Sequence, residues 1–196
     1  MPRVNVHRLD PVELRVLGCL IEKQRTTPEQ YPLTLNALRL ACNQSTNREP
    51  VLELDESQVR HAAQSLGAKG YARLATGPGS RTAKYRQLFQ EALDLMPAEV
   101  SILAVLMLRG PQTAAELKAR TERLARIDDV PTELARLEAK ELVHLLPRQP
   151  GQREERWTHL LAETPVAQAE EADADPHEPA PLERRVAQLE DRLDEL

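Results

Sequence analysis

Apolar residues recur at helical spacing from Val12 through Leu14, Val16, Leu17, Leu20 and Ile21, which predicts a helix with one buried face. Asp10 stands at its cap, Pro11 at its first position and Glu13 three residues after the cap, a set that satisfies the free amides of a helix start. A turn-rich "RTTPEQYP" follows. Thr34 then caps a second helix that runs to about Asn43, with Leu33 stapled against Leu38. Next comes a polar run, "NQSTNREP" from Asn43 to Pro50. Beyond it Asp55 and Gln58 cap a third helix whose buried stripe is Val59, Ala62, Ala63 and Leu66. Gly70 stops that helix. Short extended segments near 71–76 and 83–88 flank "GPGSRT" and predict a hairpin with Arg81 at its tip.

The same order returns further along. "LDPVELRVLGCL" from Leu9 matches "LMPAEVSILAVL" from Leu95, "LGAKGYARL" from Leu66 matches "LEAKELVHL" from Leu137, and "GPGSRTAKYRQL" from Gly77 matches "QPGQREERWTHL" from Gln149. Matches in this order predict two copies of one unit, the first carrying roughly 14 extra residues before its third helix, the polar run among them. In copy two a helix is expected from Pro97 to about Arg109, a second opened by Thr113 and Glu116, a third from about Val130 to Glu141, and a hairpin through Gly151. Met96 stands where copy one has Asp10 and cannot accept amide hydrogen bonds as a carboxylate does, so that helix start is expected to fray.

Helix, helix, helix, hairpin is the order of a winged helix-turn-helix. The expected fold is mainly α, of the α+β kind: a first winged-helix domain over 1–90, a second over 91–162, an acidic disordered linker over 163–181 and a short helix over 182–196. The linker reading rests on "ETPVAQAEEADADPHEPAP", which is acidic, rich in Pro and Ala, and without periodicity. In the last segment Leu182, Val186, Leu189, Leu193 and Leu196 follow the spacing of a coiled-coil seam. Such a seam either helps a homodimer to form or docks the helix on its own chain or on another protein.

Composition narrows the chemistry. No stretch approaches the roughly 20 apolar residues of a membrane span, and "MPRVNVHRLD" lacks the apolar core of a signal peptide, so a cytoplasmic protein is expected. Cys19 and Cys42 each sit in an apolar helical pattern and are expected to be buried, unreactive thiols rather than a disulfide or redox pair. His7, His61, His144, His159 and His177 share no ligand spacing, which argues against a metal. No phosphate loop, dinucleotide fingerprint or nucleophile elbow occurs, so neither a cofactor nor an enzymatic activity is expected. Five aromatic residues are too few for the stacking platforms of single-strand binders.

The net charge of −5 is unevenly placed. Residues 1–90 carry 13 Lys and Arg against 8 Asp and Glu, residues 91–163 carry 10 against 13, and residues 164–196 carry 3 against 10. Only the first third has the sign of a polyanion binder. In a winged helix the third helix enters the major groove, the wing reaches the backbone or minor groove, and Lys and Arg neutralise phosphates. Copy one offers Ser57, Arg60, His61 and Gln64 on the face of its third helix away from the buried stripe, and Arg73, Arg81, Lys84 and Arg86 in its wing. Asp55 and Glu56 at the helix start oppose phosphates. Copy two mixes Glu133, Arg136, Glu138 and Lys140 on its third helix and Arg153 and Arg156 with Glu154 and Glu155 in its wing, so any DNA contact falls to copy one. The polar run has two readings. As a structural loop, its Asn, Ser and Thr side chains cap local backbone and Arg48 pairs with a carboxylate such as Glu22 or Glu49. As a contact surface, Asn43, Gln44, Thr46, Asn47 and Arg48 face phosphates or a partner's backbone.

The string "GCLIEKQRTTPEQYPLTLNALRLACNQSTNREPVLELDESQV", Gly18 to Val59, closely resembles the signature of the YceH-like proteins, a bacterial family, and the resemblance spans about Leu9 to Leu161. It implies a fold similar to tandem winged-helix proteins and a DNA-binding or regulatory role, without assigning a role to any single position. The expected function is transcriptional or chromosome-associated regulation by a dimeric, non-catalytic protein that binds duplex DNA through residues 1–90. The alternative is a protein-interaction scaffold, similar in logic to the acidic tandem winged-helix subunits of chromosome-organising complexes, that binds no DNA.

Overall fold

The computed structural model describes residues 6–75 and 82–162 of the 196-residue chain. The hairpin tip with Arg81, the acidic segment and the C-terminal leucine seam lie outside the described residues. Within them the protein is of mixed α+β class and mostly helical, with seven α-helices and two small antiparallel sheets. Helix α1 spans Pro11–Thr26, strand β1 Leu33–Thr34, helix α2 Leu35–Cys42, helix α3 Glu56–Ala68, and strands β2 and β3 Ala72–Ala75 and Lys84–Gln87. After the single-turn α4, Phe89–Ala92, the order recurs as α5 Pro97–Arg109, α6 Ala114–Thr121, α7 Val130–Ala139, β4 Val143–Leu146 and β5 Arg156–His159. Strand order is β1-β3-β2 in the first sheet and β4-β5 in the second. Where copy one has β1 beside β3, copy two has an isolated bridge between Gln112 and Trp157.

The caps explain where these helices begin. The Asp10 carboxylate accepts from the amides of Val12 and Glu13 while Glu13 accepts from the Asp10 amide, and Asp55 and Gln58 do the same for α3. Thr34 accepts from Ala37 at the start of α2, and Thr113 and Glu116 cap α6 reciprocally. Helix α5 starts at Pro97 although Met96 is a poor cap, because Glu99 reaches back to the Met96 amide at 2.7 Å. One half of a capping box is thus kept.

Each copy also carries the same ion pair on a buried carboxylate. Glu13 and Glu99, both 1 % exposed, receive Lys69 and Lys140 at 2.6 and 2.8 Å. Each lysine ammonium also donates to a carbonyl ahead of the glutamate's helix, that of Arg8 or of Asp94. Burial pushes the Glu13 carboxyl up, but hydrogen bonds from Lys69, Ser65 and the Asp10 amide hold it below the usual range. A carboxylate at the first turn of one helix is therefore tied to the last turn of the third, and this closes the three-helix unit.

Most of the extra length of copy one lies before α3, as the sequence comparison suggests, but it is spread over several segments. Helix α1 has 16 residues against 13 for α5, and α3 has 13 against 10 for α7, while α2 and α6 both have 8. The connection from Thr27 to Thr34 is longer than that from Gly110 to Thr113, and the run from Asn43 to Asp55 is longer than that from Glu122 to Asp129. The polar run is one of several expansions.

One hydrophobic cluster extends through both copies, and α1 packs against α5 more extensively than any other pair of elements. Gly18 makes this approach possible. A Cβ there would lie 2.9 Å from Cγ and Cδ2 of Leu108. Gly18→Val should therefore destabilise the fold by about 1–3 kcal/mol through overpacking, read as a lower urea midpoint at unchanged slope. An unchanged midpoint would show that the two helices can separate without loss.

Candidate functional site

Helix α3 turns Val59, Ala62, Ala63 and Leu66 inward and leaves Ser57, Arg60, His61 and Gln64 exposed, so these four share the outer face. Arg60 reaches Glu56 at only 3.9 Å with both side chains more than half exposed, a contact too weak and too solvated to hold the guanidinium. On the adjoining strands Arg73 is exposed and Lys84 half-buried, while Arg86 pairs with Glu91 at 2.9 Å. β2 and β3 pair with Arg73 opposite Arg86 and Ala75 opposite Lys84. Copy one therefore carries exposed polar residues on α3, with Arg60 among them, and the cations Arg73 and Lys84 at the base of its hairpin. In copy two Arg136 is paired with Glu133 at 2.8 Å.

The polar run folds differently from a flexible tether. Arg48 is 4 % exposed; its guanidinium donates to both oxygens of Glu22 at 3.1 and 2.6 Å, to the carbonyls of Ala41 and Asn47, and to Oε1 of Gln44. Glu22 was one of the two partners expected for the loop reading. Burial pushes Glu22 up, yet the Arg48 guanidinium holds its carboxyl below the usual range. Arg15, also buried, donates to the carbonyls of Cys42 and Pro50 at the two ends of the run. Asn43 both donates to and accepts from the backbone of Leu54, standing in for a strand partner. Arg48 and Asn43 thus serve the fold, whereas Ser45, Thr46 and Asn47 are exposed and Gln44 is half-buried.

Those last residues face copy two. The Glu49 amide donates to the Leu108 carbonyl at 2.8 Å, and Arg109 donates to Asn47 Oδ1. Asn47 has φ 61°, in the left-handed region that Asn tolerates better than most residues. Between the run and α6 lies a cleft of about 710 Å³ whose wall includes Lys23 and Thr26 of α1, residues 43–47, Val105, Leu108 and Arg109 of α5, and Arg120, Arg123 and Leu124. Burial and the neighbouring Arg120 guanidinium pull Arg109 below the usual arginine value, the mark of cations crowded together. Reading the sequence by copies missed this cluster, since copy two is acidic as a whole. Its signal was local: "LKARTERLAR" from Leu117 carries Lys118, Arg120, Arg123 and Arg126.

The buried thiols of Cys19 and Cys42 prove to be neighbours, brought together by the packing of α1 on α2. The hydrogen bond with Cys19 and burial both push the Cys42 thiol up, which keeps it protonated. Among the described residues no group of three His, Cys, Asp or Glu could hold a metal ion, and no helix is long and apolar enough to cross a membrane.

These features define an α+β protein in which a helix, helix, helix, hairpin unit with its own pairing of a buried glutamate and a lysine occurs twice. The chain belongs to the family described as "Protein of unknown function, DUF480", whose model matches residues 9–152, in agreement with the resemblance to YceH-like proteins. A UPF0502 protein of Pseudomonas fluorescens is 44% identical, covering 96% of this chain and 93% of the relative. One of Geobacter sulfurreducens is 51% identical over 86% and 78% of the two chains, and one of Solibacter usitatus 47% over 96% and 93%.

Proposed function

We propose that the protein is a non-catalytic DNA-binding regulator made of two winged helix-turn-helix units, and that copy one makes the contact with duplex DNA. The observation that carries this reading is the outer face of α3, where Ser57, Arg60, His61 and Gln64 are exposed together beside Arg73. Arg and Gln at such positions can read guanine and adenine edges, and the cations Arg73 and Lys84 on the adjoining strands support contacts to phosphates. The three-stranded sheet of copy one, with the strand before α2 paired to the hairpin, supports the winged-helix reading. Cytoplasmic location and a homodimer, assembled through the leucine seam, belong to the same proposal.

Fluorescence anisotropy with mixed-sequence duplex DNA over a salt series tests it. Binding should weaken steeply with salt, and Arg60→Glu with Arg73→Glu should reduce affinity at least about tenfold and flatten the salt slope. Absence of binding at about 50 mM salt overturns the reading. A second reading, a scaffold that binds protein and not DNA, is favoured by the exposure of Leu40, Val51 and Leu74, each more than half exposed. Recovery of a protein partner by pull-down, lost on substituting Leu40 and Val51 and accompanied by no DNA binding, would establish that reading instead.

A further inference from the structure

We infer that the cleft between the polar run and α6 binds a small phosphorylated molecule of about nucleotide size. This goes beyond the DNA-binding proposal and does not rest on it, because α3 contributes no residue to the cleft.

The charge of the wall is the first argument. Lys23, Arg109, Arg120 and Arg123 converge on the space, and Glu22 is the only acidic residue lining it. That carboxylate is paired with the buried Arg48 behind it and with Lys23 at 3.3 Å, so the arginines are the cations left for a ligand. Arg123 makes no ion pair among the described residues, and Arg109 has only the neutral side chain of Asn47 as partner. Arg120 reaches Glu116 at 3.5 Å, a loose contact shared with Arg156. Gathering cations that repel one another costs stability, and the burial and Arg120 charge that lower the Arg109 value report that cost. A bound polyanion relieves it.

The shape and the rest of the lining point to the ligand class. A volume of about 710 Å³ lies within the roughly 300–1,000 Å³ of small-molecule sites. Val105, Leu108 and Leu124 give it an apolar floor suited to the ring or hydrocarbon body of a ligand. Opposite stand Ser45 and Thr46, whose hydroxyls have no partner among the described residues, and the Asn47 amide. Backbone amides of residues 44–48 likewise carry no hydrogen bond among the described residues, and unpaired amides near a left-handed residue favour anions. A molecule with two or more phosphates and an apolar body satisfies cations, donors and floor together. Because one wall comes from copy one and the other from copy two, the ligand would also tie α1 and the polar run to α6.

Thermal unfolding and calorimetric titration of the full chain with inorganic tripolyphosphate, and with ATP free of metal, test the site against sodium chloride at matched ionic strength. We expect both probes to raise Tm by at least about 3 °C at millimolar concentration, with ATP the tighter of the two because it also covers the floor. Arg120→Gln combined with Arg123→Gln should reduce affinity for both at least about tenfold, while Arg60→Ala with Arg73→Ala should leave it within about twofold. Neither substituted arginine of the first pair is buried, so that variant should fold, and a circular dichroism melt without ligand checks this. No rise in Tm beyond the chloride control at about 10 mM probe, or a rise unchanged in the Arg120→Gln, Arg123→Gln variant, overturns the inference. It is also overturned if that variant loses duplex DNA affinity and keeps its affinity for tripolyphosphate, since the cleft would then belong to a nucleic-acid surface. Failure of DNA binding in the anisotropy experiment leaves these outcomes untouched.

Discussion

Arg48→Ala should lower the unfolding free energy by about 3–5 kcal/mol, the range for removing one partner of a buried ion pair. The side chain of Arg48 is fully covered and that of Glu22 is 17% exposed, so neither charge is well solvated once its partner is gone. Alanine at 48 also strands the carbonyls of Ala41 and Asn47 and Oε1 of Gln44, each of which accepts from the guanidinium. The Ala41 carbonyl is the buried one of these, and leaving it unpaired adds to the cost. Urea titration of the single variant, of Glu22→Gln, and of the Glu22→Gln, Arg48→Met pair gives the measurement. The pair should be more stable than the sum of the single losses implies, because the uncompensated charge is absent. A loss below about 1 kcal/mol for Arg48→Ala would mean that the polar run is held by something other than this arginine. The folded-state value of Glu22 is depressed, so its contribution is complete above the ordinary carboxylate range and is lost as pH falls through it.

Stability should also fall as pH drops from about 6.5 to about 4, by up to roughly 3 kcal/mol, through His159 alone. His159 lies on β5, 5 % exposed, and its Nδ1 accepts from the Leu161 amide. Burial disfavours the imidazolium and brings the folded value from 6.5 down to about 4. The sign follows from proton uptake: between these values the unfolded chain binds a proton at this position and the folded chain does not. The stabilising contribution is therefore whole above 6.5 and is lost progressively towards 4. Equilibrium urea unfolding at intervals between pH 7.5 and 4.5 should show this slope, and His159→Phe should remove most of it. A variant that retains the slope would assign it to other groups. The depressed carboxyls of Glu13, Glu22 and Glu116 add a separate acid loss that begins at the lower end of this window and continues below it.

Both predictions rest on residues whose importance is unevenly visible in the chain. The pairing of Arg48 with Glu22 was one of two partners anticipated for a loop arginine, yet nothing in "NQSTNREP" said that the guanidinium would be buried. His159 has no sequence signal that separates it from the exposed His61 or His144, because burial depends on what lies across the sheet. The thiols of Cys19 and Cys42 are 23 positions apart in the sequence and meet only when α1 and α2 pack.

What the sequence determined by itself is the set of elements and their repetition. Caps act over three or four residues and apolar stripes over two or three turns, so Asp10, Thr34, Asp55, Thr113 and the first and last residues of α5 are legible from neighbours alone. The lysines of "LGAKGYARL" and "LEAKELVHL" align between the copies, but that each meets a glutamate 56 or 41 positions away appears only in the tertiary structure. Tertiary structure decided the rest. It set α1 against α5 through Gly18, paired the two-residue β1 with β3, and gathered Lys23, Arg109, Arg120 and Arg123 around one cleft. These contacts link segments far apart in the chain, where no local propensity or spacing records the distance between two side chains. Only the simultaneous burial of both copies' apolar faces in one core fixes it.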